Sequence, residues 1–191
     1  MEPRRKLLNH FLAALAYRTQ KALRDAPPEF GSFRVIVGVR TPAELVRHMT
    51  SVLGYARTHF VGGTYRPEPL DSLREEIERF HEMLGMLAQH LRDGDPLLSG
   101  MSEERLLQGP FSDAMTHAGQ LALLRRLAGK PVPPENFIVA EIEPDRLGPD
   151  QADPVSPDRD WPEAPPDWKP KASHKNAQKA QKARRGNGTS I

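Results

Sequence analysis

Seven apolar residues, Leu70, Leu73, Ile77, Phe80, Leu84, Leu87 and Leu91, follow one another at steps of three, four, three, four, three and four. An α-helix turns once every 3.6 residues, so this alternation lays all seven along one side and turns the charged residues between them outward. A β-strand would scatter the same residues over both faces. The stretch from about 70 to 92 is therefore predicted to be a helix with a single apolar seam, ended by Gly94. Such a helix has to bury its seam against others. The seam lasts only three heptads, which marks it as core rather than as a leucine zipper.

Three further segments carry helical signals. The first, about 3–24, has Leu7, Leu8, Phe11, Leu15 and Leu23 as its apolar side. The second, about 42–60, begins on Thr41 as N-cap, Pro42 in the first helical position and Glu44 closing a capping box. A short turn at 102–107 precedes the last, about 110–128, which starts at Pro110 and stops at Gly129 ahead of Pro131. Phe33–Val39 in the long connection 25–40, and Phe137–Ile142, read as short strands that would pair in a small edge ribbon. The expected fold is all-α, a four-helix bundle occupying residues 1–142.

Beyond 142 the chain changes character. Residues 143–170 are acidic and crowded with proline, and the dipeptides Asp153-Pro154, Ser156-Pro157 and Trp161-Pro162 disfavour regular structure. Should this stretch pack back, Trp161 and Trp168 are its expected anchors. Residues 171–191 are basic and lack large apolar side chains save the last residue, so they are expected to be disordered. The net charge of +2 conceals this polarity. Residues 1–142 hold 18 Lys and Arg against 17 Asp and Glu, 143–168 hold 2 against 8, and 169–191 hold 7 against none. Phosphates could meet the basic tail only weakly, since no aromatics are interleaved for stacking on bases.

The chain has no cysteine, which excludes disulfides, thiolate ligands and a protein thiol nucleophile. A thiol, if needed, must come from a small molecule. No apolar run reaches 18 residues and the N-terminal pattern is amphipathic, so no membrane span is expected and the cytoplasm is the expected location.

Asp113 and His117, one helical turn apart, head a stripe that continues through Gln120, Leu121, Leu124 and Ala128. In the second helix His48 shares a stripe with Leu45, Val52 and Tyr55. A buried charge needs a hydrogen-bonded partner or a metal ion, and two histidines with one carboxylate make a three-ligand divalent site with open positions. A plain alternative is an aspartate favoured by its helix N-terminus, with histidines that merely hydrogen-bond. Gln120 is a candidate to orient a ligand, and Tyr55 either lines a substrate pocket or packs in the core with its hydroxyl at the rim. His59, about 16 Å along the helix from His48, is too far to share the ion. His10 and His81 read as boundary residues, while His90 and His174 read as solvated. No glutamate flanks His48 or His117 as a zinc protease requires.

Arg40-Thr41-Pro42-Ala-Glu-Leu-Val-Arg-His48 and Asp113-Ala-Met-Thr-His117-Ala-Gly-Gln120-Leu resemble the DinB-like family over roughly residues 5–140. The resemblance implies a metal-binding four-helix bundle with a long connection between its first two helices, often a homodimer. The family's usual ligands are three histidines, and here Asp113 stands where the first of the pair would be. By this likeness the metal, zinc or nickel, would be held by His48, Asp113 and His117. The implied activity is thiol-dependent S-transfer from a small thiol to an electrophilic substrate, through a metal-activated thiol or, for hydrolysis, water. The alternative is a non-catalytic, metal-stabilised binding or stress protein.

Overall fold

Ser72 starts the helix to which the seam belongs. Its hydroxyl accepts from the Glu75 backbone N–H (3.2 Å) and the Glu75 carboxylate accepts from the Ser72 N–H (2.9 Å), a closed capping box. The helix therefore begins at Leu73, and Leu70 stays outside it and exposed. In the computed structural model, which describes residues 1–98, 100–162 and 164–166, four long helices form: α1 (Pro3–Leu23), α2 (Pro42–Val61), α3 (Leu73–Asp93) and, after a single helical turn α4 (Glu103–Leu106), α5 (Ser112–Leu127). The capping box of Thr41 and Glu44 forms at the start of α2, as its sequence predicts.

The protein is all-helical. No strand forms among the described residues, and Glu135 with Pro157 makes only an isolated bridge. The expected edge ribbon is thereby corrected. A 3₁₀ turn, Pro28–Ser32, precedes the irregular 33–40 stretch, and Phe137–Val139 is itself a 3₁₀ turn. β-Branched runs favour strands only where a pleated neighbour covers them. Here Ile36 and Val37 are exposed and face no partner strand.

α1 and α2 each pack against both α3 and α5. The shared core holds Leu12, Leu15 and Tyr17 of α1, Met49 and Leu53 of α2, Phe80, Leu84, Leu87 and Leu91 of α3, and Leu121 of α5. Each buried side chain of this kind contributes about 1.5–3 kcal/mol. Leu7, expected on the apolar side of α1, is exposed, because the buried arc of that helix runs through Leu8, Leu12 and Leu15. Among the described residues one acid lies in the interior. Glu76 of α3 is fully buried, paired with Arg79 and 3.6 Å from Arg47 of α2, and it accepts from the Leu70 N–H (3.0 Å). Removing one of these partners would leave a buried polar group uncompensated, which is strongly destabilising.

Among the described residues after Ile142 no regular element forms, and this stretch is bound to the helices. Asn9 donates to the Pro144 carbonyl (3.1 Å), and Arg24 donates to the Gln151 and Ala152 carbonyls and to Asp153. Leu147 joins the core cluster, and Trp161 is buried. Trp168 and the basic 171–191 stretch lie outside the described residues.

Two histidines differ from their sequence reading because of this packing. His90, expected to be solvated, stacks on Phe60 (5.1 Å between centroids) and meets Asp95 at 2.6 Å. His81, expected at a boundary, is buried, and its Nδ1–H donates to the Leu147 carbonyl at 2.6 Å. Burial pushes the His81 imidazole down to about 4, against a smaller opposing effect of that hydrogen bond. Its ordinary value is 6.5, so above that pH the ring is neutral in both the folded and unfolded chain. As pH falls from about 6.5 to 4 the unfolded chain takes up the proton and the folded one does not. Stability should then drop by about 3 kcal/mol through this group, at 1.36 kcal/mol per pKa unit. Urea unfolding of wild type and His81→Gln at pH 7.5 and pH 4.5 checks this. The loss on acidification should be smaller in the variant, and equal losses would contradict the assignment.

Candidate metal centre

α5 is reached through an unusual turn. Between α4 and α5 the chain widens at Leu107–Phe111, with Gly109 at φ −95°, ψ −105° and Pro110 contributing no N–H. Ser112 restores the ladder by donating its hydroxyl to the Leu107 carbonyl (2.6 Å). The helix was expected to open at Pro110. It opens at Ser112, so Asp113 stands in its first turn and His117 one turn deeper, packed beside α2.

His48 of α2 meets this pair. The His48 and His117 rings are edge to face, with centroids 4.8 Å apart. His117 Nε2 lies 3.4 Å from Asp113 Oδ1. One ligand atom from each of His48, Asp113 and His117 falls within 4.8 Å of the other two, the one such group among the described residues able to hold a metal ion. Burial decreases from His117, which is buried, through His48 to Asp113, whose side chain is half exposed. The three groups thus stand at the edge of the core with one side open.

The donor set fits a divalent ion on two counts. His117 Nδ1 lies 2.8 Å from Gln120 Oε1, an acceptor, a contact that suits the tautomer with the proton on Nδ1 and the lone pair on Nε2. That Nε2 is buried and has no hydrogen-bond partner, and Asp113 Oδ1, 3.4 Å away, is an acceptor like it. A buried, unpaired acceptor costs about 1–3 kcal/mol, which a bound cation would remove. Second, zinc bonded at about 2.1 Å to tetrahedral ligands spaces them about 3.4 Å apart. The Asp113–His117 pair already has that separation. The surroundings of His48 favour its neutral, ligand-competent form: partial burial lowers its pKa most, and the charges of Arg40 and His117 add to this against Asp113.

The other sequence candidates divide. Gln120 touches His117 directly. Tyr55 is 55% exposed and lies edge-on to His59 (4.7 Å), so it is no core tyrosine. The stripe Leu45–His48–Val52–Tyr55 runs from buried to exposed along the flank of α2, while Val46, Met49 and Leu53 make its buried face. Two grooves meet at the centre. One of about 650 Å³ runs between Tyr55 and Val52 on one side and Pro110 and Asp113 on the other. A second, of about 460 Å³, has His48 in its wall and is lined by arginines. Ser51 borders both. The arginines were not singled out by sequence reasoning, since Arg40 and Arg66 lie on two loops 26 residues apart that only the fold joins.

Compared with known proteins, the chain matches no family model, no curated protein and no solved structure. Among the described residues no helix is long and apolar enough to cross a membrane.

Proposed function

We propose that this chain is a DinB-like four-helix bundle that holds one divalent ion, zinc or nickel, on His48, Asp113 and His117, and that it works as a thiol-dependent S-transferase. The observation that carries the metal reading is His117 Nε2, buried without a partner beside Asp113 and His48. The thiol chemistry rests on the resemblance, and two features accord with it. The chain has no cysteine of its own, and two separate grooves reach the centre, one for each of two reactants. A bound ion would supply Lewis acidity, lowering the pKa of a coordinated thiol or, in a hydrolytic variant of the reaction, of water. The chain's own part is to orient the ligands. Gln120 contacts His117 Nδ1 and so steadies its ring, and burial of His48 lowers its pKa, which favours the neutral ring. A homodimer and a cytoplasmic setting belong to the same reading.

Protein purified with neither added metal nor chelator is expected to carry about one zinc or nickel per chain by plasma emission spectrometry. A panel of electrophiles with small thiols should then show metal-dependent thioether formation. Wild type that takes up neither metal at micromolar concentration would overturn the reading. Metal uptake without any transfer would leave the ion and remove the transferase.

A further inference from the structure

Four arginines line the groove beside His48: Arg34, Arg40, Arg47 and Arg66. Two of these are committed elsewhere. Arg34 donates to the Val39 carbonyl (2.7 Å) and to both oxygens of Glu44 (3.2 and 3.3 Å). Arg47 faces the buried Glu76. Arg40 and Arg66 have no hydrogen-bond or ion-pair partner among the described residues, although Glu44 stands in the same groove. The Arg40 charge is close enough to act on His48.

Separate contacts fix the backbone beside each arginine. Arg40 immediately precedes the capping box that anchors the start of α2. Arg66 follows Tyr65, whose ring lies directly on Gly54 of α2. A Cβ at position 54 would come within 2.0 Å of Tyr65 Cδ1, so only glycine admits that approach. The chain from 65 to 67 is thereby seated along α2, and Arg66 and Pro67 line the same groove as Arg40. With a divalent ion on two neutral histidines and one carboxylate, the centre would itself be positive. Positive charge lining a concave surface concentrates anions there, and guanidinium forks match carboxylate and phosphate oxygens.

We propose that this groove is an anion subsite, in which Arg40 and Arg66 bind the carboxylate or phosphate of the molecule on which the metal centre acts. The link to the centre rests on the metal reading above. The subsite itself does not, since neither arginine is a metal ligand.

The test is calorimetric titration of the full chain, zinc-loaded and chelator-treated, with inorganic phosphate and separately with malonate, in 0.15 M sodium chloride. Saturable binding of at least one of the two anions is expected, weakened tenfold or more in R40Q/R66Q in both metal states. Zinc content should be unchanged by these exposed substitutions, and the lysine pair R40K/R66K should recover part of the affinity. The anion that binds tighter identifies the group. No binding above the chloride background, or equal binding by wild type and R40Q/R66Q, would overturn the proposal. So would binding that chelator abolishes and R40Q/R66Q leaves intact, which would place the anion on the metal. If wild type binds no zinc while arginine-dependent anion binding persists, the metal reading fails and the subsite stands.

Discussion

Replacing Asp113 by alanine is expected to strip the centre of its ion while leaving the chain folded, and replacing it by histidine is expected to keep the ion. The alanine variant loses the anionic ligand of a three-residue set, which leaves two imidazoles and an affinity too low to survive gel filtration. The histidine variant restores three donors on the same two helices. Little of the fold depends on Asp113, whose side chain is half exposed, whereas Phe80, Leu84, Leu87, Met49 and Leu121 are fully buried without it. The Asp113→Ala protein should therefore melt with chelator-treated wild type. Loaded wild type should lie above both by the binding contribution, RT ln(1 + [L]/Kd). Gln120→Ala should weaken metal binding by about 10–100-fold through loss of the His117 orientation. Circular-dichroism melts with and without chelator, beside metal analysis, read all three. An alanine variant that does not fold at all would make the ion a structural one, because its binding free energy would then be folding free energy.

Ending the chain at Ile142 is expected to lower its melting temperature by about 6–12 °C relative to a chain ending at Pro166. The shorter chain loses Leu147 from the core, the Trp161 side chain from its buried site, and the carbonyls that receive Arg24. Removing Leu147 also takes away its carbonyl, which leaves the buried Nδ1–H of His81 without its acceptor. The unpaired donor costs about 1–3 kcal/mol and the lost apolar burial about 2 kcal/mol or more, partly offset by chain entropy regained. A net loss of about 3 kcal/mol corresponds to the stated shift for a chain of this size. Equal melting temperatures would show that residues 143–166 lie on the helices without stabilising them.

The helices themselves were legible in the sequence because helix formation is written in local periodicity and local caps. The three-four spacing from Leu73 to Leu91 and the Thr41–Glu44 box each specify structure within a few residues of themselves. Of the metal candidates, the Asp113–His117 pair was legible for the same reason, since an i,i+4 pair is local, while His48 was read from its stripe on the second helix. What the sequence alone does not contain is distance between elements. That His48 meets His117 at 4.8 Å between centroids follows from α2 packing against α5, and the kink at Gly109–Pro110 decides which turn of α5 carries Asp113. Strand propensity misled at 33–39 and 137–142 because β-branched residues make strands only beside another strand. His81 seemed a boundary residue until Leu147, 66 positions later, closed over it. The sequence by itself determined the all-α class, most of the helix limits, the lack of any cysteine thiol in the chain and the local Asp113–His117 pair. Only the tertiary structure decided which distant side chains converge, because contacts between helices depend on packing and not on periodicity. It joined His48 to that pair, and it brought Arg40 and Arg66 to one groove, with Tyr65 laid on Gly54 beside it.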